Sequence, residues 1–210
     1  GFVVFIEIIL YLNMEIDEIE EGYFYHIYNR GNNSEKIFFS EENYAYFLKL
    51  LTKYIFPVAD IYAYCLLNNH FHILVRIKEK NEIEINKLKF STIEKPKKVS
   101  ASRQFSHFLN AYSQAVNKKY ARIGSLFEKR FERKRISDNH YLRQVILYIN
   151  TNPLKHNLVE KPKDYKWSSY NSHISNAKTK LKRKEVIELF DDVENFVLCH
   201  KNYDFLNSIF

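Results

Sequence analysis

Apolar positions along the chain switch between a spacing of two and a spacing near 3.6, and the switches lay out its elements. Tyr23–Arg30 is rich in aromatic residues and predicts a strand, closed by a turn at Arg30-Gly31-Asn32-Asn33. Ser40 stands where a helix cap belongs, with Asn43 three residues on and Glu41 and Glu42 in the positive first turn. Tyr44, Phe47, Leu48, Leu51 and Ile55 then recur at helical spacing until Pro57 ends the pattern. Val58–Leu67 predicts a second strand and His70–Ile77 a third. The tight turn between them, Asn68-Asn69, uses residues that tolerate positive φ. Lys78–Ser100 is polar and reads as a long loop, with Lys95, Pro96, Lys97 and Lys98 able to reach over a ligand. Ser102–Tyr120 is helical, with Phe105, Phe108, Leu109, Tyr112 and Val116 on one side. Ile123–Phe127 forms a turn and Lys129–Ile136 a fourth strand. Asp138 caps a helix from Asn139 to about Asn152, which Pro153 stops or interrupts. Beyond Trp167 the pattern weakens. Lys178, Lys180, Lys182, Arg183 and Lys184 cluster, and Val186, Leu189, Phe190 and Val193 suggest one more amphipathic helix.

The order β-α-β-β-α-β followed by a helix predicts an α+β fold, the ferredoxin-like split βαβ. It has an antiparallel sheet with helices packed on one face, an extra helix, and a C-terminal helical extension. The chain divides into an extension at 1–22, a core domain at 23–170 and a basic, helical extension at 171–210.

Composition narrows the class. A chain of 210 residues with 46% hydrophobic and 16% aromatic content can bury a real core. Only 4 Gly and 4 Pro disfavour a many-turned β sandwich or a Gly-looped nucleotide fold. Cys65 and Cys199 make no disulfide framework and no zinc pattern, so a reducing, cytoplasmic setting is expected. Cys65 reads as a small buried residue. The apolar run Phe2–Leu12 contains Glu7 and is too short to span a membrane. It lacks a signal peptide's basic start, and Met14 just after it is one possible natural start.

Charge is uneven. The net +7 includes six acids and no base in residues 1–22, which leaves +13 on the remainder. Residues 117–135 alone hold eight bases against Glu128 and Glu132. Such a body suggests a polyanionic partner, with nucleic acid the commonest.

Strand side chains alternate, so His70 and His72 share one face while Phe71, Ile73 and Val75 enter a core on the other. On the helix before Pro153, Leu142, Val145 and Ile149 face the core. Tyr148 and Asn152, four apart, share another side with Tyr141 and Gln144. Two imidazoles, an amide oxygen and a phenol are a suitable metal site with a nucleophile beside it. Each part has a plainer reading. Paired strand histidines are often structural, Tyr148 is one of 16 tyrosines, and Asn152 before Pro153 is also a helix-ending signal. Their convergence in one fold is what favours chemistry.

Five motifs follow one another. They are Tyr25-His26-Ile27-Tyr28-Asn29-Arg30-Gly31-Asn32-Asn33, His70-Phe71-His72, Gly124-Ser125-Leu126-Phe127 through Arg130-Phe131, Tyr148-Ile149-Asn150-Thr151-Asn152-Pro153, and Asp164-Tyr165-Lys166-Trp167-Ser168-Ser169-Tyr170. In this order they resemble the single-tyrosine HUH transposases, and among them the REP-associated tyrosine transposases, over residues 23–170. The resemblance implies a metal-dependent transposase that cleaves and rejoins single-stranded or hairpin DNA. His70, His72 and Asn152 would bind Mg²⁺ or Mn²⁺, and Tyr148 would attack the phosphorus to leave a 5′-phosphotyrosine and a free 3′-OH. Bond energy is conserved, so no ATP is needed, in keeping with the lack of a phosphate-cradling Gly loop. Tyrosine ordinarily titrates near 10, so Tyr148 needs activation. Imidazole alone would suit zinc as well as manganese.

Arg122, Lys129, Arg130, Arg133 and Arg135, with Arg30 near the glycine turn, are the charge-based candidates for DNA contact. Other readings compete. A histidine-triad hydrolase would need a third histidine at position 74, which is Leu74. An HUH replication initiator or relaxase fits the motif around Trp167 less well. A domesticated, non-catalytic nucleic-acid-binding protein stays open, although His70, His72, Tyr148 and Asn152 are all intact. Monomer or homodimer, and Tyr148 acting in its own subunit or a partner's, are left open. No membrane partner is expected.

Overall fold

The computed structural model describes residues 18–88, 99–128 and 130–203. The Phe2–Leu12 run, Met14, Lys95–Lys98 and Lys129 lie outside them. Four strands, β1 (Phe24–Arg30), β2 (Ala59–Leu67), β3 (His70–Ile77) and β4 (Glu132–Ile136), form one antiparallel sheet in the order β2-β3-β1-β4. With α1 (Glu41–Tyr54) between β1 and β2 and α2 (Ala101–Lys119) between β3 and β4, this is the predicted split βαβ. β4 starts at Glu132, later than the charge alternation suggests. Among the described residues no helix is long and apolar enough to cross a membrane.

Alternation sorts the sheet's side chains into two layers. Tyr25, Ile27, Phe71, Ile73 and Val75 pack with Phe47, Leu51, Phe105, Phe108 and Tyr112 of α1 and α2. Phe47 meets Phe108 and Tyr112 edge to face, at 4.7 and 5.0 Å between ring centroids. Such pairs add about 1 kcal/mol each beyond burial. Asn43 holds the start of α1 by accepting from the Phe39 and Ser40 amides at 3.0 and 3.2 Å.

The opposite face is covered as well, which corrects the expectation of helices on one face. Ala63, Cys65, Leu67 and Leu74 pack under Leu142, Val145, Ile146 and Ile149 of α3 (Asn139–Lys155). The single C-terminal helix read from Val186 to Val193 is two, α5 (Arg183–Glu188) and α6 (Val193–Lys201), preceded by the short α4 (Tyr170–Ile174). Asp191, at φ 70°, breaks the helical run, and Asp192 caps α6 through the Asn195 amide at 2.7 Å. Val186, Phe190 and Phe196 complete this second core. A strand layer left bare would expose Leu74 and Ala63, so covering it is what the apolar content requires.

α3 also runs past its expected end. Pro153 lies inside it and the helix continues to Lys155, because proline removes one donor while the next turn closes through His156 N to Asn152 O at 3.2 Å.

Two histidines in the second core titrate abnormally. Burial lowers His173 to about 3, helped by nearby His200 and Arg183, and burial lowers His200 to about 4. Both are neutral when folded, whereas the unfolded side chains titrate near 6.5. The unfolded chain therefore binds protons first as pH falls, and stability is lost from about pH 6.5 downward. At pH 5 this is on the order of 2 kcal/mol per histidine. Thermal unfolding should give a clearly lower Tm at pH 5 than at pH 7.5, and His173→Phe should lessen that dependence by one histidine's share, because His200, His26, His70 and His72 are lowered by burial too. A Tm that is flat over this range would contradict the burial of neutral imidazoles here.

Candidate functional site

β3 is a central strand, and its face toward α3 carries His70, His72, Leu74 and Arg76. Across the ladder, Arg30 pairs with His70, Tyr28 with His72 and His26 with Leu74. The same alternation thus puts His26, Tyr28 and Arg30 on the histidine face. α3 lies over this face and brings Tyr148 to it. The Tyr148 ring is 5.3 Å from that of His72 and 5.9 Å from that of His26. Asn152, one helical turn on, places Oδ1 3.3 Å from His70 Nε2. The extra turn past Pro153 adds Lys155, whose Nζ sits 4.7 Å above the Tyr148 ring, and His156, 4.8 Å from the His70 ring.

The turn before His70 orients it. Neither Asn68 nor Asn69 has positive φ, so the asparagines are not there for left-handed backbone. Asn69 Nδ2 donates to the Ser34 carbonyl at 3.3 Å, which leaves Oδ1 as acceptor toward His70 Nδ1 at 2.7 Å. Gly31 supports this turn by donating its amide to the Asn69 carbonyl at 2.7 Å. A Cβ on Gly31 would overlap the Glu35 carbonyl oxygen, so the turn requires glycine.

Proton positions follow. Burial, then the charge of His156, lowers His70 to about 4, so its ring is neutral. With hydrogen on Nδ1, His70 Nε2 has a lone pair, and it faces another acceptor, Asn152 Oδ1. Two acceptors facing each other at this distance suit a cation between them.

His72 is buried among like groups. Burial, then His26 and His70, push it well below the usual imidazole range. Its Nδ1 is 3.0 Å from His26 Nε2, and its Nε2 is buried without a hydrogen-bond partner. His26, lowered to about 3 by burial and by Lys134, is also neutral. The pair matches a ligand histidine whose second nitrogen is held by a supporting group. The His70 and His72 ring centroids are 5.2 Å apart. Two imidazoles on one ion, at about 2.1 Å each, stand roughly 5 Å apart. Among the described residues no group of three or more His, Cys, Asp or Glu is arranged to hold a metal. The donor groups that this face offers are two neutral imidazoles and one amide oxygen, whose chemistry fits a divalent ion.

The remaining charge-based candidates are spread out. Arg30 is beside His70 and contributes to lowering it. Arg122 is committed to Glu35 at 2.5 Å and to Asn117 Oδ1 at 3.1 Å. Arg135 pairs with Glu20 at 3.3 Å and stacks 3.4 Å over Tyr23. Arg130 and Arg133 line a cleft of about 450 Å³ against α2, with Asn29, Ser106 and Phe127. His26, Asn69, Lys155 and His156 were not among the candidates. His26 was findable from its two-residue spacing to Tyr28 and Arg30. Lys155 and His156 lie past Asn152, where the sequence pattern puts the end or interruption of α3.

No protein-family model matches the chain. A REP-associated tyrosine transposase of Haemophilus influenzae is 31% identical over 116 residues, which cover 53% of this chain and 59% of that protein. The match thus spans less than two thirds of the relative's length. A solved structure of a REP-associated tyrosine transposase bound to a REP hairpin superposes with a TM-score of 0.57 at 15% identity, over 79% of this chain and 87% of that one. At that identity the likeness is one of fold. A bacterial tRNA(His) guanylyltransferase-like protein in complex with ATP reaches a TM-score of only 0.40 at 11% identity, over 91% and 80% of the two chains, too low to argue from. This chain is thus similar to REP-associated tyrosine transposases in sequence over about half its length and in fold over most of it.

Proposed function

We propose that the chain is a transposase that cleaves and rejoins one DNA strand through Tyr148, acting on single-stranded or hairpin DNA. The observation that carries this reading is the seating of Tyr148 5.3 Å from His72, with Asn152 on the same helix 3.3 Å from His70. Tyr148 Oη forms a bond to phosphorus and the bond to the 3′-oxygen breaks. The leaving 3′-oxygen takes a proton, and the 5′-phosphate stays on the tyrosine. Attack by a 3′-OH reverses these steps and joins a strand.

The chain's own groups have defined parts. Lys155, over the phenol ring, stabilises negative charge that grows on Oη as its proton leaves. Arg30 lies at the strand end beside His70, where it can hold a neighbouring phosphate. His26 and Asn69 orient the two imidazoles. A divalent ion, Mg²⁺ or Mn²⁺, held by His70, His72 and Asn152, would supply positive charge to the phosphate oxygens. The hairpin in the solved relative and the basic 117–135 stretch support DNA as substrate.

Tyr148→Phe is expected to abolish the covalent adduct with a labelled single-stranded or hairpin oligonucleotide, seen as a shifted band on a denaturing gel, while affinity changes less than about threefold. An adduct retained by the Phe variant would remove Tyr148 from the role. Chelation should stop cleavage and Mn²⁺ restore it. Binding without cleavage under every metal condition would favour the non-catalytic reading.

Loss of a supporting group costs a metal site about 10–100-fold in affinity. His26→Phe should weaken Mn²⁺ binding by that factor in a calorimetric titration. Unchanged Mn²⁺ affinity would separate His72 from the ion.

A further inference from the structure

Between Tyr148 and Asn152, two residues from each, sits Asn150, fully buried. Two residues are about 200° around a helix, so Asn150 points from the side opposite to the two site residues. It is tied at both ends. Ser169 Oγ donates to Asn150 Oδ1 at 2.8 Å, and Ser169 Oγ accepts from the Tyr64 amide at 3.0 Å. The Ser169 amide in turn donates to the Tyr64 carbonyl at 2.9 Å. At the other end, Asn150 Nδ2 is 3.2 Å from His200 Nε2. His200 Nδ1 is 2.7 Å from the Phe196 carbonyl, which can only accept, so that nitrogen carries the hydrogen and Nε2 accepts from Asn150.

Every polarity in this relay is consistent, from the β2 backbone through Ser169, Asn150 and His200 to the α6 backbone. Ser169 is as fully buried as Asn150, and His200 nearly so. An apolar trio would pack the same space without three buried polar groups to satisfy. What the relay adds is direction. The donors and acceptors fit only one rotation of α3 about its axis. The restraint falls beside Pro153, where the helix has lost one of its own backbone bonds.

We propose that Asn150 and His200 are positioning residues for the Tyr148 reaction, and that the C-terminal helices act through them to set the rotation of α3. The inference rests on the strand-transfer reading above. A tyrosine hydroxyl stands about 9 Å from its helix axis, so a 20° rotation moves it roughly 3 Å. A misplacement of about 1 Å can cost 10²-fold in rate.

His200→Leu keeps the bulk and removes the acceptor. His200→Gln returns an acceptor near the Nε2 position. In a single-turnover assay, the Leu variant is expected to form the Tyr148–oligonucleotide adduct at least tenfold more slowly, with Kd for the oligonucleotide within twofold. The Gln variant should recover most of the rate. Amide hydrogen exchange over residues 148–156 should rise about tenfold in the Leu variant and return toward wild type in the Gln variant. Ser169→Ala cuts the other arm and should give the same pattern where His200→Leu does not fold. Leu and Gln variants that are equally slow would show packing, not hydrogen bonding, to be the cause, and would overturn the proposal. So would a Leu variant with wild-type rate and protection. If the wild-type chain forms no adduct with any oligonucleotide, the strand-transfer reading falls. The exchange measurement then still decides whether the relay holds α3.

Discussion

Helix α3 lies across the histidine face of the sheet, and the site and the second core both follow from that contact. One side of the helix supplies Leu142, Val145, Ile146 and Ile149 to cover Ala63, Cys65 and Leu74. Another side supplies Tyr148 and Asn152 to His72 and His70. The same burial that stabilises the layer removes water from three imidazoles and holds them neutral. An imidazolium there would have to be desolvated beside other cations, at a cost that grows steeply in low dielectric. Hydrophobic packing and imidazole basicity are therefore two consequences of one interface.

Around that interface the polar groups are oriented in chains. Gly31 fixes the Asn69 carbonyl, Asn69 fixes the His70 tautomer, and His26 holds the far nitrogen of His72. On the reverse side of α3, Ser169, Asn150 and His200 form a second chain reaching α6. The buried orphan in the site is His72 Nε2, and a buried donor or acceptor without a partner costs free energy unless something else occupies it. Both imidazoles of β3 are thus oriented by hydrogen bonds at one nitrogen, His70 by Asn69 and His72 by His26.

Much of this was legible from residue spacing. His70 and His72 had to share a face once β3 was read as a strand, and Tyr148 and Asn152 had to share a side once α3 was read as a helix. The alternation of His26, Tyr28 and Arg30 carried the same information for β1. Of these, Arg30 stands out in the sequence by its charge, whereas His26 is masked by the aromatic, strand-forming character of its neighbours. Lys155 and His156 are not legible as site residues, because a proline stops or interrupts a helix by pattern alone, whereas here it costs one hydrogen bond and the next turn still closes. The covering of the sheet's second face was not legible. The short helices after Trp167 give too few turns for a clear period, and Asp191 breaks the last of them into two.

Local pattern alone determined the element order from β1 to α3, the split βαβ class and the pairing of residues on single faces, because periods of two and 3.6 are properties of the backbone. Only the tertiary structure decided which faces meet. It put α3 on the histidine side, closed the distance from His70 to Asn152, lowered the imidazoles by burial, and tied Asn150 to Ser169 and His200 across intervals of 19 and 50 residues. Such contacts depend on how whole layers fill space, and no repeat within a short window encodes them.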